Sequence, residues 1–249
     1  MPPETLVFPS NRATCPQHRR TVRRLHRNFA FAALFLAFAA AAADTPTAVP
    51  EDAFATNARL LASVRNDDAG GIERALRDGA AVNSRNRLGE SALLIALKKN
   101  RADFAQTLLA AGADVNEAAV NGVTPLMAAA YVGNADMTRA LLARGADPLS
   151  VDRIGKNAIT YAAGEGHAEI VRLLLSKGVD PNAVYRNDLT ALMWAAGYGH
   201  AATVRVLLDA GARVEAVDNR GKSALDMARE FGHADTAALL ESARAPTGK

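Results

Sequence analysis

The chain contains one cysteine, Cys15, among 249 residues, and only 5% of its residues are aromatic. A single cysteine cannot close a disulfide within the chain, so a fold stapled by disulfides is excluded. The sequence also lacks the G-x-S-x-G elbow of serine hydrolases, the H-E-x-x-H helix of zinc proteases and the G-x-x-x-x-G-K-[ST] phosphate loop. These absences favour a non-catalytic protein that has no metal and no cofactor.

The first 43 residues have the layout of a secretory signal. Five arginines between positions 19 and 27 precede an apolar run at 29–43, which ends in Ala-x-Ala before Asp44. This run is shorter than the about 18 to 20 residues that a membrane-spanning helix needs. We therefore expect cleavage near Ala43 and export to the periplasm, with no membrane contact afterwards. If the signal is not cleaved, the chain would instead be a membrane-anchored scaffold.

Removal of residues 1–43 changes the sign of the net charge. Six of the 29 basic residues and one of the 26 acidic residues lie there, so 23 basic and 25 acidic residues remain. Because no basic stripe with interleaved aromatic residues remains, we expect no nucleic-acid partner. Cys15 is removed as well, which suits an oxidising compartment.

Glycines recur along the rest of the chain with a period of 33 residues. Three registers share this period, and their agreement indicates an internal repeat. In the first register, Asp188 replaces one glycine. The registers are Gly89, Gly122, Gly155 and Gly221; Gly79, Gly112, Gly145, Gly178 and Gly211; and Gly133, Gly166, Gly199 and Gly232.

Within one period the residue types predict a pair of helices. Thr124 can cap a helix whose first residue is Pro125, where the missing N–H costs nothing. After a Gly-Asn break, a second helix is predicted at 135–144, and Gly145 supplies the left-handed residue that ends it. The stretch 146–154 has no helical pattern and predicts an extended, turn-rich segment, which we call a finger.

The order G-x-T-P-L-x-x-A-A-x-x-G-H, then LL, then G-A-D-V-N, resembles the ankyrin repeat over residues 56–241. The resemblance implies an all-α repeat solenoid of about six ankyrin repeats. Each would be a helix-turn-helix with a β-hairpin or extended finger, and the array would curve around a concave binding face. We expect a linker at 44–55 and a disordered tail at 245–249. The predicted units one to six are 56–88, 89–121, 122–154, 155–187, 188–220 and 221–244.

One position departs from the ankyrin pattern in five units. The family usually has a histidine as the fourth residue of its TPLH motif, where it bonds within the turn and to the adjacent unit. We expect that bond to be absent throughout, with apolar contacts in its place and helix packing rather than polar clamps between units. The position holds Leu94, Met127, Thr160, Met193 and Asp226.

The two ends of the array differ from its middle, as the outer units of a solenoid should. The Leu-Leu pair of the second helix becomes Leu-Glu at 240–241, and Arg65, Asp67 and Asp68 surround the turn of the first unit. We expect these polar residues to face water, and we interpret the run 98–101 as a solvated helix end. The array is expected to be complete.

The histidines of the repeats have a structural interpretation. His167, His200 and His233 each stand where a second helix begins. Packed helices lie about 8–10 Å apart, too far for neighbouring histidines to share a zinc ion at about 2.0–2.1 Å. We therefore interpret them as turn residues and predict no catalytic or metal site. An enzyme or small-molecule binder that uses the concave groove is the alternative.

The ankyrin resemblance implies that finger tips and first helices bind a partner protein. An exported protein is the expected partner, and the chain is expected to be a monomer. Arginine and aromatic side chains are the types that dominate binding energy at interfaces. The candidate contact residues are Arg87, Leu88, Lys98, Val120, Asn121, Tyr131, Val132, Arg153, Ile154, Tyr185, Arg186, Tyr198, Asn219 and Arg220.

Three further large side chains share one position beside the alanine pair of the first helix. Ile95, Tyr161 and Trp194 occur there, and we assign them to the core rather than to the partner surface.

Overall fold

The computed structural model describes residues 51–244 of the chain. The predicted signal at 1–43, residues 44–50 of the predicted linker and the predicted tail at 245–249 lie outside the described residues. Within 51–244, twelve α-helices follow one another in pairs, with two isolated bridges and no strand. The helices are α1 (Glu51–Arg65), α2 (Ala69–Arg77), α3 (Ala92–Lys98), α4 (Ala102–Ala110), α5 (Pro125–Tyr131), α6 (Ala135–Ala143), α7 (Ala158–Gly164), α8 (Ala168–Ser176), α9 (Ala191–Gly197), α10 (Ala201–Asp209), α11 (Ala224–Glu230) and α12 (Ala234–Arg244).

The short first helices start at side-chain caps. The Thr124 hydroxyl accepts a hydrogen bond from the Met127 N–H at 3.3 Å, and Pro125 is the first residue of α5. Ser91 and Thr190 cap α3 and α9 in the same way. These caps satisfy N–H groups that have no partner inside the helix, so the predicted start of the first helix is confirmed.

The second helix of each of the first five pairs ends before a left-handed glycine. In unit three, α6 stops one residue before the end of the predicted 135–144 range, and Gly145 follows with φ of +84°. The Ala146 N–H donates to the Leu141 carbonyl at 3.0 Å, which satisfies a carbonyl group at the helix end. A residue with a Cβ would be strained at Gly145, and the glycine is needed there for this reason.

The first helix of the array starts earlier than the sequence predicts. α1 begins at Glu51, so residues 51–55, which the sequence predicts as the end of a linker, are helical. Inside α1 the Thr56 hydroxyl donates to the Asp52 carbonyl at 2.6 Å. Asp52 also places a negative charge in the first turn, where the helix dipole favours it. The repeat period could not predict this turn because the first unit lacks the leading motif.

The apolar core lies between the helices and continues from unit to unit. The alanine pairs at 129–130 and 162–163 are buried, and such small residues allow neighbouring helices to approach closely. Leu94, Met127 and Met193 are at most 1% exposed. The apolar contacts predicted at these three positions are therefore confirmed.

Two units keep a polar bond in the turn, which corrects the prediction that it is absent throughout. The Asn157 N–H donates to the Thr160 hydroxyl at 3.0 Å, and the Ser223 N–H donates to the Asp226 carboxylate at 2.9 Å. In return, the Asn157 side chain accepts from the Thr160 backbone N–H, and the Ser223 side chain accepts from the Asp226 backbone N–H. Threonine and aspartate can close this capping box because they occupy the third helical position.

Polar clamps join neighbouring units, so the prediction that helix packing alone joins them is wrong. A histidine at the start of a second helix reaches back to a carbonyl at the end of the preceding unit's first helix. Because a carbonyl oxygen can only accept, the Nε2 atom donates in each case, which gives the histidines a structural role. The bonds are His167 to Tyr131 at 3.0 Å, His200 to Gly164 at 2.9 Å and His233 to Gly197 at 3.0 Å.

Other polar groups join the first three units. Lys99 and Arg101 both contact the Asp67 carboxylate, at 2.7 Å and 2.6 Å. Asn134 donates from its side-chain amide to the Asn100 side chain at 2.8 Å. Asp67, Lys98 and Lys99 are exposed, as expected. Asp67 also pairs with Lys99 and Arg101 across the joint between units one and two, because residues 32 to 34 positions apart face each other in stacked units.

The last unit has the polar outer residue that the Leu-Glu pair predicts. Leu240 is buried in α12, whereas Glu241 is exposed. The polar residue therefore lies on the outer side of the pair, as expected.

A glycine lies against each clamp histidine. A Cβ on Gly166 would lie 2.6 Å from His200 Nδ1, closer than two such atoms can approach. Gly232 has nearly the same backbone conformation, with φ of +77° against +81°, but a Cβ there would meet nothing within 4 Å. Substitutions at these two glycines therefore distinguish the cost of backbone strain from the cost of the contact with the histidine.

We expect Gly166→Ala to destabilise the protein more than Gly232→Ala. The backbone strain of a left-handed alanine should lower the free energy of unfolding by about 1–2 kcal/mol at both sites. At Gly166 the His200 ring must also move and lose its bond to Gly164, which should cost about 1 kcal/mol more. Urea denaturation of both variants measures the difference.

The control is a His200→Ala background, in which the extra cost at Gly166 should disappear. Equal losses for the two glycine variants in the wild-type background would contradict the clamp.

Candidate functional site: an aromatic and basic surface on units three to five

All four tyrosines and the single tryptophan of the chain lie between positions 131 and 198. Four of these five side chains belong to first helices or their C-caps, and we call them the aromatic cluster. The fifth, Tyr185, belongs to the finger of unit four. The aromatic cluster consists of Tyr131, Tyr161, Trp194 and Tyr198.

The rings of the aromatic cluster contact one another in two pairs, one between units three and four and one within unit five. Tyr131 and Tyr161 meet edge to face with centroids 5.9 Å apart, and Trp194 and Tyr198 stack at 6.2 Å. A Cβ on Gly164 would lie 3.7 Å from the Trp194 ring and 4.0 Å from the Tyr198 ring. Gly164 of unit four therefore lies next to the rings of unit five. Tyr131 and Tyr198 remain 48% and 54% exposed.

Lys156 brings a positive charge into the aromatic cluster. Its Nζ atom lies 3.8 Å from the centroid of Trp194 and 5.3 Å from that of Tyr161, within the range of cation–π attraction. Burial lowers the pKa of the Lys156 ammonium, while the negative charges of Asp152 and Glu165 act in the opposite direction.

Asp152 connects the finger of unit three to the aromatic cluster. This buried carboxylate accepts hydrogen bonds from the Ile154 and Lys156 N–H groups, both at 2.9 Å, through one oxygen. Its other oxygen accepts from the Tyr161 hydroxyl at 2.6 Å. Burial, together with this hydrogen bond, raises the pKa of Tyr161 well above its ordinary value.

A pocket of about 210 Å³ opens beside the aromatic cluster, between the fingers of units three and four and the first helix of unit five. Small-molecule sites usually have about 300–1,000 Å³. The pocket is thus of a size for one side chain rather than for a drug-sized ligand. It is lined by Ile154, Gly155, Lys156, Tyr185, Arg186, Asn187, Leu189 and Trp194.

The pocket coincides with a break in the backbone bonds between fingers. The Arg153 N–H donates to the Asn121 carbonyl at 2.9 Å, and equivalent bonds join two other finger pairs. No such bond joins the Arg186 N–H to the Ile154 carbonyl. The equivalent bonds run from Val120 to Leu88 and from Asn219 to Asn187.

The residue that replaces a glycine explains this break. Asp188 has φ of +59° and the preceding Asn187 has φ of +64°, so two consecutive residues are left-handed. Asparagine and aspartate adopt this conformation more readily than other residues that carry a Cβ. The tip of this finger therefore turns differently from the others, and Arg186 does not reach the bonding position of its counterparts.

The structure leaves most of the predicted contact residues accessible. Val132 and Tyr185 are only half-buried rather than exposed, and Lys98 and Arg220 are exposed but form ion pairs with Glu90 and Asp218. Of the fourteen, only Ile154, Tyr185 and Arg186 line the pocket. The exposed residues are Arg87, Leu88, Lys98, Val120, Asn121, Tyr131, Arg153, Ile154, Arg186, Tyr198, Asn219 and Arg220.

Tyr185 is more a structural residue than the sequence analysis predicts. Its ring packs against the core, and its hydroxyl accepts a hydrogen bond from the Asn157 side chain at 2.8 Å. Burial raises the pKa of Tyr185, while the hydrogen bond from Asn157 acts in the opposite direction. Asn157 caps α7, so replacing Tyr185 would disturb the helix as well as the surface.

The assignment of three large residues to the core is right for one of them. Ile95 is buried, but Tyr161 and Trp194 are half-buried and share their outer faces with Lys156. Sequence reasoning missed Lys156 and Leu189, which stand one residue before a helix cap. The concentration of every tyrosine and tryptophan within 131–198 was the signal that could have located the site.

A family model for ankyrin repeats, in three copies, matches residues 60–152, 116–185 and 159–246. These matches together span about three quarters of the chain, and the protein belongs to the ankyrin repeat family. No curated protein matches the chain. Ankyrin repeats generally mediate protein–protein interaction, and the family is typically non-enzymatic.

Within the described range 51–244, no helix is both long and apolar enough to span a bilayer. In the same range, no group of three or more histidine, cysteine, aspartate or glutamate side chains could together hold a metal ion.

We expect Tyr161→Phe to lower the free energy of unfolding by about 1.5–3 kcal/mol at neutral pH, because it removes a hydrogen bond to a buried carboxylate. The raised pKa adds a pH dependence. In the wild type, Tyr161 stays protonated while the unfolded tyrosine ionises near pH 10, so its contribution is present below about pH 10 and lost above it. Urea denaturation between neutral pH and pH 11 measures both effects.

Tyr198→Phe is the matched control, since no hydrogen bond of the Tyr198 hydroxyl occurs within residues 51–244. This variant should change the free energy of unfolding by less than about 0.5 kcal/mol. An advantage of wild type over Tyr161→Phe that grows above pH 10 would contradict the assignment.

Proposed function

We propose that the protein is a non-catalytic interaction module that binds a partner protein through the aromatic cluster and the adjoining fingers of units three to five. The observation that carries this proposal is the exposure of Tyr131 and Tyr198 on a scaffold whose other aromatic residues are few. Each ring presents a rigid apolar area at small entropic cost. Interface hot spots are rich in tyrosine, tryptophan and arginine, which are the residue types gathered here.

The arrangement of the surface supports this proposal further. Tyr198 stacks on Trp194, and Tyr131 packs against Tyr161, so both exposed rings are held in place before a partner arrives. A preorganised ring loses little freedom on binding, which favours affinity. A small-molecule or enzymatic role in the same groove is less well supported, because the pocket is smaller than usual for such ligands.

The proposal includes the cellular compartment in which the protein acts. The arginine-rich start and the apolar run at 29–43 support export through a cleaved signal. The partner is then another exported protein, and the chain acts in the periplasm as an assembly factor, an inhibitor or a protective accessory. A membrane-anchored scaffold is the alternative if the signal is retained.

We expect the double variant Tyr131→Ser, Tyr198→Ser to lose its partner and to stay folded. The two rings are about half exposed, so their removal should lower the melting temperature by only a few degrees, whereas hot-spot truncation typically weakens binding by about 2 kcal/mol or more. Affinity capture from a periplasmic extract, read by mass spectrometry, compares the variant with the wild type.

Phe231→Ser is the matched control for this experiment. Phe231 is the C-cap of α11, one period after Tyr198, and it is 61% exposed outside the aromatic cluster. This variant should keep the partner. Loss of the partner from Phe231→Ser, or its retention by the double variant, would contradict the proposed surface.

We also expect the exported form to begin at Asp44. Cell fractionation followed by N-terminal sequencing tests the cleavage. Recovery from the membrane fraction with residues 29–43 still present would support the anchored alternative.

A further inference from the structure

The charged side chains that line the pocket are all positive. Its lining contains the cations Lys156 and Arg186 and no aspartate or glutamate. Neither cation forms an ion pair with any acidic side chain within residues 51–244. The charges of Asp152 and Glu165 act on Lys156 from a distance, but neither carboxylate forms an ion pair with it, and Asp152 already accepts three hydrogen bonds, from two backbone N–H groups and the Tyr161 hydroxyl.

Two other units show what Lys156 lacks. In unit two, Glu90 forms an ion pair with Lys98 at 2.7 Å, and in unit six, Lys222 pairs with Glu230. Both pairs join the residue before the cap of a first helix to the last residue of that helix. In unit four the second of these positions is Gly164, which has no side chain and is covered by the Trp194 ring.

In unit four, the cation–π contact between Lys156 and Trp194 therefore replaces the ion pair that units two and six contain. The Trp194 ring attracts the half-buried Lys156 ammonium, but a ring supplies no net negative charge. Removing an ammonium from water is unfavourable unless an opposite charge or a hydrogen-bond acceptor compensates it. An anion that entered the pocket would supply both, and Arg186 could bind the same anion in a two-pronged manner.

Apart from Asn187, the larger side chains in the rest of the lining are mainly apolar. Ile154, Leu189 and the rings of Tyr185 and Trp194 surround the two cations. The pocket volume of about 210 Å³ suits one side chain. A carboxylate on a short chain, next to an apolar residue of the same peptide, matches both the charge and the lining.

We infer that this pocket receives an aspartate or glutamate side chain of the partner protein, with an adjacent apolar residue of the same segment packed against Trp194. This inference rests on the proposed function and names the chemical class of segment that the surface recognises. The carboxylate gives Lys156 the negative charge that Glu230 gives Lys222 in unit six.

Trp194 is the only tryptophan of the chain, so its fluorescence reports on the pocket directly. The probes are three end-blocked peptides without tryptophan. The first is Ser-Gly-Glu-Phe-Glu-Leu-Gly-Ser, the second has glutamine for both glutamates, and the third has serine for phenylalanine and leucine. Titration of the full chain up to millimolar peptide gives the affinities.

The first peptide should shift the Trp194 emission and bind at least about tenfold more tightly than the glutamine peptide, because loss of a charged hydrogen bond costs at least that factor. It should also bind more tightly than the serine peptide, which loses apolar contact with the lining. Its affinity should fall as the salt concentration rises. Lys156→Gln and Arg186→Gln should each weaken the first peptide by about tenfold and should leave the second unchanged.

The matched controls are Arg172→Gln and Arg205→Gln. These residues are exposed on α8 and α10, away from the first helices, and removing their charge should not affect peptide binding. Circular dichroism melting curves of all four variants identify any that fail to fold. If Lys156→Gln fails to fold, Arg186→Gln still tests the loss of binding, and Lys156→Arg, which keeps the charge, should keep the binding.

Three outcomes would overturn the inference. They are equal binding of the glutamate and glutamine peptides, no shift of Trp194 emission with any of the three peptides, and tighter binding of a single-stranded oligonucleotide than of the first peptide. The proposed function would survive each of them if the captured partner were still lost from the Tyr131→Ser, Tyr198→Ser variant. If that variant still retained the partner, the proposed function itself would be contradicted.

Discussion

Contact between neighbouring helix pairs is the interaction on which the rest of the structure depends. The first helices α3, α5, α7, α9 and α11 each have seven residues, whereas an isolated helix needs about 12–15 residues to be even marginally stable. Each pair is therefore stable only when a neighbour covers its apolar face. The clamp histidines and the glycines against them fix that contact, because a side chain at Gly133, Gly166 or Gly199 would push the next histidine away.

The scaffold could be predicted from the sequence because its constraints repeat. A cap is needed wherever a first helix starts, and a left-handed residue wherever a second helix ends, so both recur in register. The clamps could not be predicted in the same way. Each joins a histidine to a backbone carbonyl 36 residues earlier. Every residue has a backbone carbonyl, so the sequence does not indicate which one accepts the bond. The pairing of Asp67 with Arg101 was missed because charged residues in an outer unit are equally consistent with solvation.

The candidate site was harder to predict because it lies where the repeat is broken. Asp188 was recognised as a substitute for glycine, but its effect depends on the neighbouring finger, which no local pattern contains. Lys156 follows a glycine as Lys222 does, and the two look alike in sequence. Only the structure shows that Lys222 has a glutamate partner while Lys156 has a tryptophan ring.

A stacked array can hold such a break because the units on either side support it. The two left-handed residues change the backbone at the tip of this finger, but the Asn187 carbonyl still accepts the Asn219 N–H and the Tyr185 hydroxyl still accepts from Asn157. The change is thus confined to one finger, and the helices beneath it keep their register. The same units place Trp194 over Gly164, so the departure from the repeat creates a charged and apolar pocket without exposing the core. Recognition is therefore located where one unit differs from its neighbours, while the contacts shared by all units maintain the fold.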